Sequence, residues 1–229
     1  MLEQTLDISA MDGPLGQRVH SVLREKILDL TLEPGAVLRK GVLCEQLGVS
    51  RSPVAEALGK LSSEGLVDII PQSATRVSRF SMAEILEENF LREAVETAAI
   101  TQVATRRTED QLLRLSRNIR LQTLLVEDAD HQGFFEADLE FHGLILSFTG
   151  FASVPRIAED LTLQLRRARK LALPSPGRAA EALAEHVAIF RAIEARDVEA
   201  ATTALTGHLR HLVQTIEPLE RRFPDYFRR

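Results

Sequence analysis

The sequence predicts a mainly α protein in two parts, an N-terminal winged helix-turn-helix and a C-terminal all-helical bundle of about six helices. Three observations lead there. Apolar residues recur at helical spacing along most of the chain. Near residues 66–78 that period gives way to two short extended runs around Pro71. From Ser81 onward only helical stripes and helix-capping signals remain.

Residues 1–14 open with MLEQTLDISAMDG, an acidic stretch with neither the basic nor the apolar part of a secretory leader, and are expected to be a flexible tail. Residues 15–30 carry Leu15, Val19, Val22, Leu23, Ile27 and Leu30 on one helical stripe, and Pro34-Gly35 ends it. Ala36-Val37-Leu38 reads as extended. A short helix over 40–47 closes at Gly48, because glycine reaches the left-handed conformation that ends helices. Ser52 is expected to cap the next helix, with Pro53 in its first turn and Val54, Leu58 and Leu61 on its apolar side. Strands over 66–70 and 75–78 complete a domain spanning 15–80.

In the second part, Ser81/Glu84 and Thr108/Gln111 form capping boxes, opening helices to about Arg107 and Glu127. A helix over 131–149 ends at Gly150, and another is predicted from Pro155 to about Leu173. Pro174-Ser175-Pro176-Gly177 is a loop, followed by helices at 178–196 and 198–222 with Asp197 as the cap between them. Residues 81–222 are expected to form one all-helical domain, and 223–229 a tail.

The 229 residues suit one large domain or two modest ones, and the net charge is −5. The first 80 residues balance at −1, so no basic block argues for nucleic acid and any DNA contact must come from local placement. The single cysteine, Cys44, excludes an internal disulfide framework and suits a reducing cytoplasm, the expected location. No apolar run reaches membrane-spanning length.

Asp138, His142, His186 and His208 each fall on the apolar side of a predicted helix. Asp138 and His142 stand one turn apart in phase with Phe135, Leu139 and Ile145, so both can reach one ion. His186 is in phase with Leu183, Phe190 and Ile193, and His208 with Ala201, Leu205 and Leu212. A single histidine on such a stripe is usually a hydrogen-bonded core residue; four metal-ligand types on inward stripes point to a polar site inside a bundle. Three imidazoles and a carboxylate suit a borderline divalent ion, zinc first, with nickel or manganese as alternatives. His211 rivals His208 but is less centred on its stripe, while His20 and His131 are expected at the surface.

In a helix-turn-helix the second helix enters the major groove and its first residues reach base edges. Arg51 and Ser52 stand there, and Arg39, Lys60, Arg76 and Arg79 are the other groups near the expected contact surface, with Arg76 in the wing. Arg51 has the geometry for a bidentate contact to guanine.

The stretch Leu43-Cys44-Glu45-Gln46-Leu47-Gly48-Val49-Ser50-Arg51-Ser52-Pro53-Val54, then Glu56-Ala57-Leu58 and Glu64-Gly65-Leu66-Val67, resembles the GntR family of bacterial transcription regulators. The part after residue 81 resembles the FadR subfamily's effector domain in its metal-binding FCD form. That resemblance implies metal binding by an Asp-x-x-x-His pair and two later histidines, matched here by Asp138, His142, His186 and His208. It also implies a homodimer on double-stranded operator DNA, and an arginine near the pocket, here Arg92, that pairs with a small carboxylate metabolite. The residues themselves leave Arg92 an equal alternative, an ion pair with Glu88 or Glu96; Arg166 and Arg167 are weaker candidates. The chain departs from the family at Ala55, where arginine is usual, at Ser73-Ala74, where the wing usually has Arg-Gly, and at Phe151, where asparagine is usual.

The expected function is therefore a regulator whose operator binding responds to a carboxylate held at a divalent metal. One alternative is a metal-binding sensory module with weakened DNA binding. The other is a metal-dependent hydrolase with Glu136 or Glu140 as base, although both are predicted to point away from the ligands.

Overall fold

The computed structural model describes residue 8 and residues 11–228. In chain order these form α1 (Leu15–Leu28), α2 (Lys40–Leu47), α3 (Arg51–Ser63), β1 (Val67–Ile69), β2 (Thr75–Val77), α4 (Met82–Arg106), α5 (Glu109–Glu127), α6 (His131–Ser147), α7 (Ser153–Asp160), α8 (Leu163–Ala172), α9 (Arg178–Glu194) and α10 (Val198–Arg222). Two compact units result. One takes the chain up to Glu84, Leu163–Ala168 and the segment from Leu219; the other takes Ile85–Thr162 and Arg169–Pro218.

The first unit is a winged helix-turn-helix. Val19, Leu23 and Ile27 recur along α1 and meet Val54, Leu58 and Leu61 of α3 in one core. Gly48, at φ 64°, lets the chain leave α2 and enter α3 after two residues. The wing pairs β1 and β2 antiparallel with Val67 opposite Val77, and both side chains join the core. Leu58 is fully buried, so Leu58→Ala is expected to lower stability by about 2–5 kcal/mol, a loss readable as a lower urea midpoint.

Several expectations change in this unit. Ser50, not Ser52, stands at the N-cap of α3, one residue before Arg51. Most of the expected tail over 1–14 lies outside the described residues, but Ile8 is buried against the core. The expected tail after 222 instead makes a 3-10 turn, Pro224–Tyr226, and buries Phe227 with its ring 5.2 Å from that of Phe80. His20 is not a surface residue: it is buried and its Nε2 lies 2.8 Å from Glu64 Oε1. Arg167 is fully buried here rather than in an effector pocket. Its guanidinium donates to Ser78 O at 2.9 Å and Gln164 Oε1 at 2.6 Å and stacks over Phe80.

The second unit is a helical bundle. Ile100, Val103 and Ala104 of α4, Leu115 of α5, Phe141 and Ile145 of α6, Ile189 and Ile193 of α9, and Leu205 and Leu209 of α10 share one core. Its ends are capped by side chains: Thr108 and Gln111 exchange hydrogen bonds, and Asp130 and Asp197 accept from Gly133 and Ala200 N–H. Arg107 donates to the last carbonyls of α9, Ile193 and Glu194, while Arg196 donates to Thr105 and Arg107 at the end of α4. Each arginine thus satisfies carbonyls the neighbouring helix cannot. Helices α4–α10 number seven, against about six expected, because residues 155–173 are not one helix. No glycine or proline breaks it. The hydroxyl of Thr162 donates to Ala158 O at 2.8 Å, competing with the helical ladder where α7 stops.

Candidate metal centre

Helices α6, α9 and α10 bring the four predicted ligands together. Asp138 and His142 sit on the inward face of α6, His186 on α9 and His208 on α10, all buried, and one ligand atom from each lies within 4.8 Å of the others. His208 Nε2 is 3.2 Å from His142 Nε2 and 3.4 Å from His186 Nε2, and His186 Nε2 is 3.5 Å from Asp138 Oδ1. His186 is fully buried and stacks on Phe141 at 4.5 Å between centroids, which fixes its ring plane.

The opposite ring nitrogens show what these histidines present to one another. His142 Nδ1 faces Glu96 Oε2 at 2.6 Å, His208 Nδ1 faces Glu185 Oε2 at 2.6 Å, and His186 Nδ1 faces Gln122 Oε1 at 2.8 Å. Each partner is an acceptor, so each Nδ1 carries the proton and donates it. The Gln122 amide is oriented by its own donation to Asn118 Oδ1 at 2.7 Å, while Asn118 donates to Ala137 O and Glu140 Oε2. All three Nε2 atoms are then bare lone pairs converging on one another and on a carboxylate oxygen. That arrangement is repulsive by itself, and a shared cation would relieve it. Acceptors behind each metal-binding imidazole are the usual means of fixing its tautomer. The donor set therefore fits a borderline divalent ion.

Electrostatics agree. Burial, then the neighbouring His208 and His142, hold His186 well below its ordinary value. Burial pushes His208 down to about 3 despite Glu185, and His142 is also lowered by burial despite Glu96. All three are neutral at neutral pH. Burial raises Glu96, but Arg92 and His142 outweigh it and keep the carboxylate ionised. Burial likewise opposes Glu185, which hydrogen bonds from His208, Arg178 and His211 draw down to about 2.

Around the imidazoles the charges cancel. Asp138, Glu96 and Glu185 are matched by Arg169, Arg92 and Arg178. Arg92 Nε donates to Glu96 Oε1 at 2.6 Å, and both terminal nitrogens are buried without a hydrogen-bond partner among the described residues. Burial, together with Arg92 and Arg178, lowers Arg169 well below its ordinary value. His211 stays outside the converging set, 2.5 Å from Glu185 Oε1, and its side chain is 41% exposed. Glu140 accepts from Asn118, and the exposed Glu136 accepts from Gln132, so each has a partner away from the imidazoles. A cavity of 20 Å³ adjoins the cluster, lined by Phe134, Asp138, Arg169, Leu173, Arg178 and His208 among others. That is room for about one water.

Gln122, Glu185, Arg169 and Arg178 are not singled out by the sequence, and Glu96 only as a partner for Arg92. Glu96 and Gln122 each sit on a buried helix face, and a polar residue in such a stripe was the available signal.

On the winged unit, Arg39, Arg51, Ser52, Lys60 and Arg79 are exposed, with Arg51 and Ser52 in the first turn of α3. Ala55 is exposed one turn after Arg51. Arg76 is half-buried, and its Nη1 donates to Gly35 O at 3.2 Å.

Residues 15–77 match the gntR family of bacterial regulatory proteins, and residues 89–211 match the FCD domain. The chain is 30% identical over 214 residues to the HTH-type transcriptional repressor RspR of Escherichia coli (strain K12), covering 93% of this chain and 94% of RspR. The chain belongs to the GntR family. It is 34% identical over 209 residues to an HTH-type transcriptional regulator in an unstable DNA locus of Streptomyces ambofaciens, covering 91% and 88% of the two chains. A GntR regulator from Rhodococcus sp. RHA1 superposes with a TM-score of 0.76 at 26% identity, over 88% of this chain and 96% of that one. This chain is thus a GntR transcriptional regulator with an FCD domain, and no helix among its described residues is long and apolar enough to cross a membrane.

Proposed function

We propose that this regulator binds operator DNA as a homodimer in the cytoplasm, and that a small carboxylate, joining a divalent ion at Asp138, His142, His186 and His208, changes its DNA affinity. The convergence of three Nε2 lone pairs on Asp138, with every Nδ1 tied back to an acceptor, carries this reading. Zinc suits the set best, and nickel or manganese would also be accepted. The ion, when bound, supplies Lewis-acid coordination for a carboxylate oxygen. The two unpartnered nitrogens of buried Arg92 offer that carboxylate a charge-assisted bond. Such a ligand shifts the protein only by binding one conformation more tightly than another.

Arg51 at the start of α3 is the group that reads a base and Ser52 beside it holds a phosphate, with Arg39, Lys60 and Arg76 as the other basic groups at the DNA surface. Arg51→Ala is expected to weaken operator binding by about 1–3 kcal/mol. Ala55 favours a second reading, a sensory module with weakened DNA binding: it leaves a methyl group on the exposed face where the family usually presents arginine. Fluorescence anisotropy on the DNA upstream of the gene, with and without chelator and a panel of small carboxylates, tests both. Saturable, salt-sensitive binding altered by a metal-plus-carboxylate pair is expected. Binding that appears only in Ala55→Arg would favour the second reading.

A further inference from the structure

We propose that Arg169 is a placeholder cation: it holds the Asp138 carboxylate in the metal-free protein and must give it up when a divalent ion binds. This rests on the metal-centre reading above. The Arg169 Nη2 group contacts Asp138 Oδ2, and both side chains are about nine-tenths buried. Among the described residues, Asp138 is the one hydrogen-bond partner of the Arg169 guanidinium. The other two guanidiniums are held differently. Arg92 donates to Glu96 at 2.6 Å, and Arg178 reaches both Glu181 and Glu185, at 3.3 and 3.0 Å. Neither depends on a metal ligand.

The site is electrically balanced before an ion arrives, with three carboxylates, three guanidiniums and three neutral imidazoles. A divalent ion adds two positive charges to a region that water screens poorly. The cation least able to resist that repulsion is the one whose only hydrogen-bonded carboxylate the ion also requires. Arg169 meets both conditions, and it lines the adjoining cavity. Glu96, Gln122 and Glu185, by contrast, support their histidines from behind and need not move at all.

The contrast with an ordinary supporting neighbour gives a test by sign. Losing such a neighbour weakens metal affinity by about 10–100-fold. Losing a competing charge strengthens it. Zinc affinity of the full chain would be measured against a competing chelator for the natural protein, Arg169→Gln, Arg169→Met and Arg169→Lys. Gln keeps an N–H donor for Asp138 without the charge, and Lys keeps the charge. We expect Gln and Met each to bind zinc about tenfold more tightly or better, and Lys to stay within about threefold of the natural protein. Unchanged or weaker zinc binding in Gln would overturn the proposal. No zinc binding by either the natural chain or Arg169→Gln would instead remove the metal-centre reading itself. Should the variants not fold, a crystal structure of the zinc-loaded natural chain decides. Arg169 beyond hydrogen-bond reach of Asp138 supports the proposal, and Arg169 still bonded to it refutes it.

Discussion

Replacing His186 by alanine is expected to reduce zinc affinity by about a hundredfold or more, beyond the range typical for loss of a supporting neighbour. His186 is fully buried at the centre of the set, with Nε2 within 3.5 Å of both His208 Nε2 and Asp138 Oδ1. Its loss removes one of three imidazole donors and leaves Gln122 Oε1 without the N–H it accepts at 2.8 Å. It also opens space beside Phe141, so the metal-free variant should itself be less stable. The two effects separate experimentally. A chelator titration reads the lost donor, while thermal unfolding in excess chelator reads the cavity. His211→Ala is the control. His211 shares Glu185 with His208 but lies outside the converging nitrogens, so its loss should leave zinc affinity within a few-fold of the natural chain. Equal losses in the two variants would show that the metal is not seated where the lone pairs converge. In the His186→Ala protein any carboxylate effect on DNA binding should vanish, while DNA binding without effector should persist, because α3 lies in the other unit.

The four clustered residues were legible because each obeys local periodicity. Asp138 and His142 are one turn apart on an apolar face, and His186 and His208 each sit on the buried face of their own helix. What orients them was not legible from spacing. Glu96 is 46 residues from His142, Gln122 is 64 from His186, and Arg169 is 31 from Asp138, and only the packing of α4, α5 and α8 supplies these pairings. The helix starts at Thr108 and Asp197 were readable because a cap is a local hydrogen bond. The end of α7 was not, since a threonine hydroxyl bonding back along a helix also occurs mid-helix, as at Thr101 and Thr105. His20 was misplaced for a related reason. It follows Val19 on the edge of the apolar stripe, and its partner Glu64 is 44 residues away at the end of α3.

Acid should unfold the metal-free chain earlier than its carboxylates alone would dictate. In the unfolded chain each histidine takes up a proton near its ordinary value of 6.5; in the folded chain burial holds His142 and His186 below that value and His208 down to about 3. Below pH 6.5 the unfolded state therefore binds more protons than the folded one, and stability falls as pH falls. His208, held down to about 3, contributes a slope approaching about 1.4 kcal/mol per pH unit, and His142 and His186 add to it in the same direction. Glu96 and Glu185 act in the same direction over a lower range. Both are held below 4.5 in the folded state, Glu185 at about 2, so their stabilisation is present above 4.5 and disappears beneath it. Thermal unfolding in excess chelator should thus show a melting temperature that drops between pH 6.5 and 5, before ordinary carboxylates titrate. A melting temperature flat down to pH 4.5 would contradict the burial of three neutral imidazoles. Zinc should restore stability across this window by binding the folded state. At pH 7 it should do so with little proton release, because the three Nε2 atoms carry no proton to displace. Calorimetric titrations in buffers of different ionisation enthalpy would read that directly, and release of one or more protons per ion would place protons on the Nε2 atoms, contrary to the hydrogen bonds that tie each Nδ1–H to Glu96, Gln122 or Glu185.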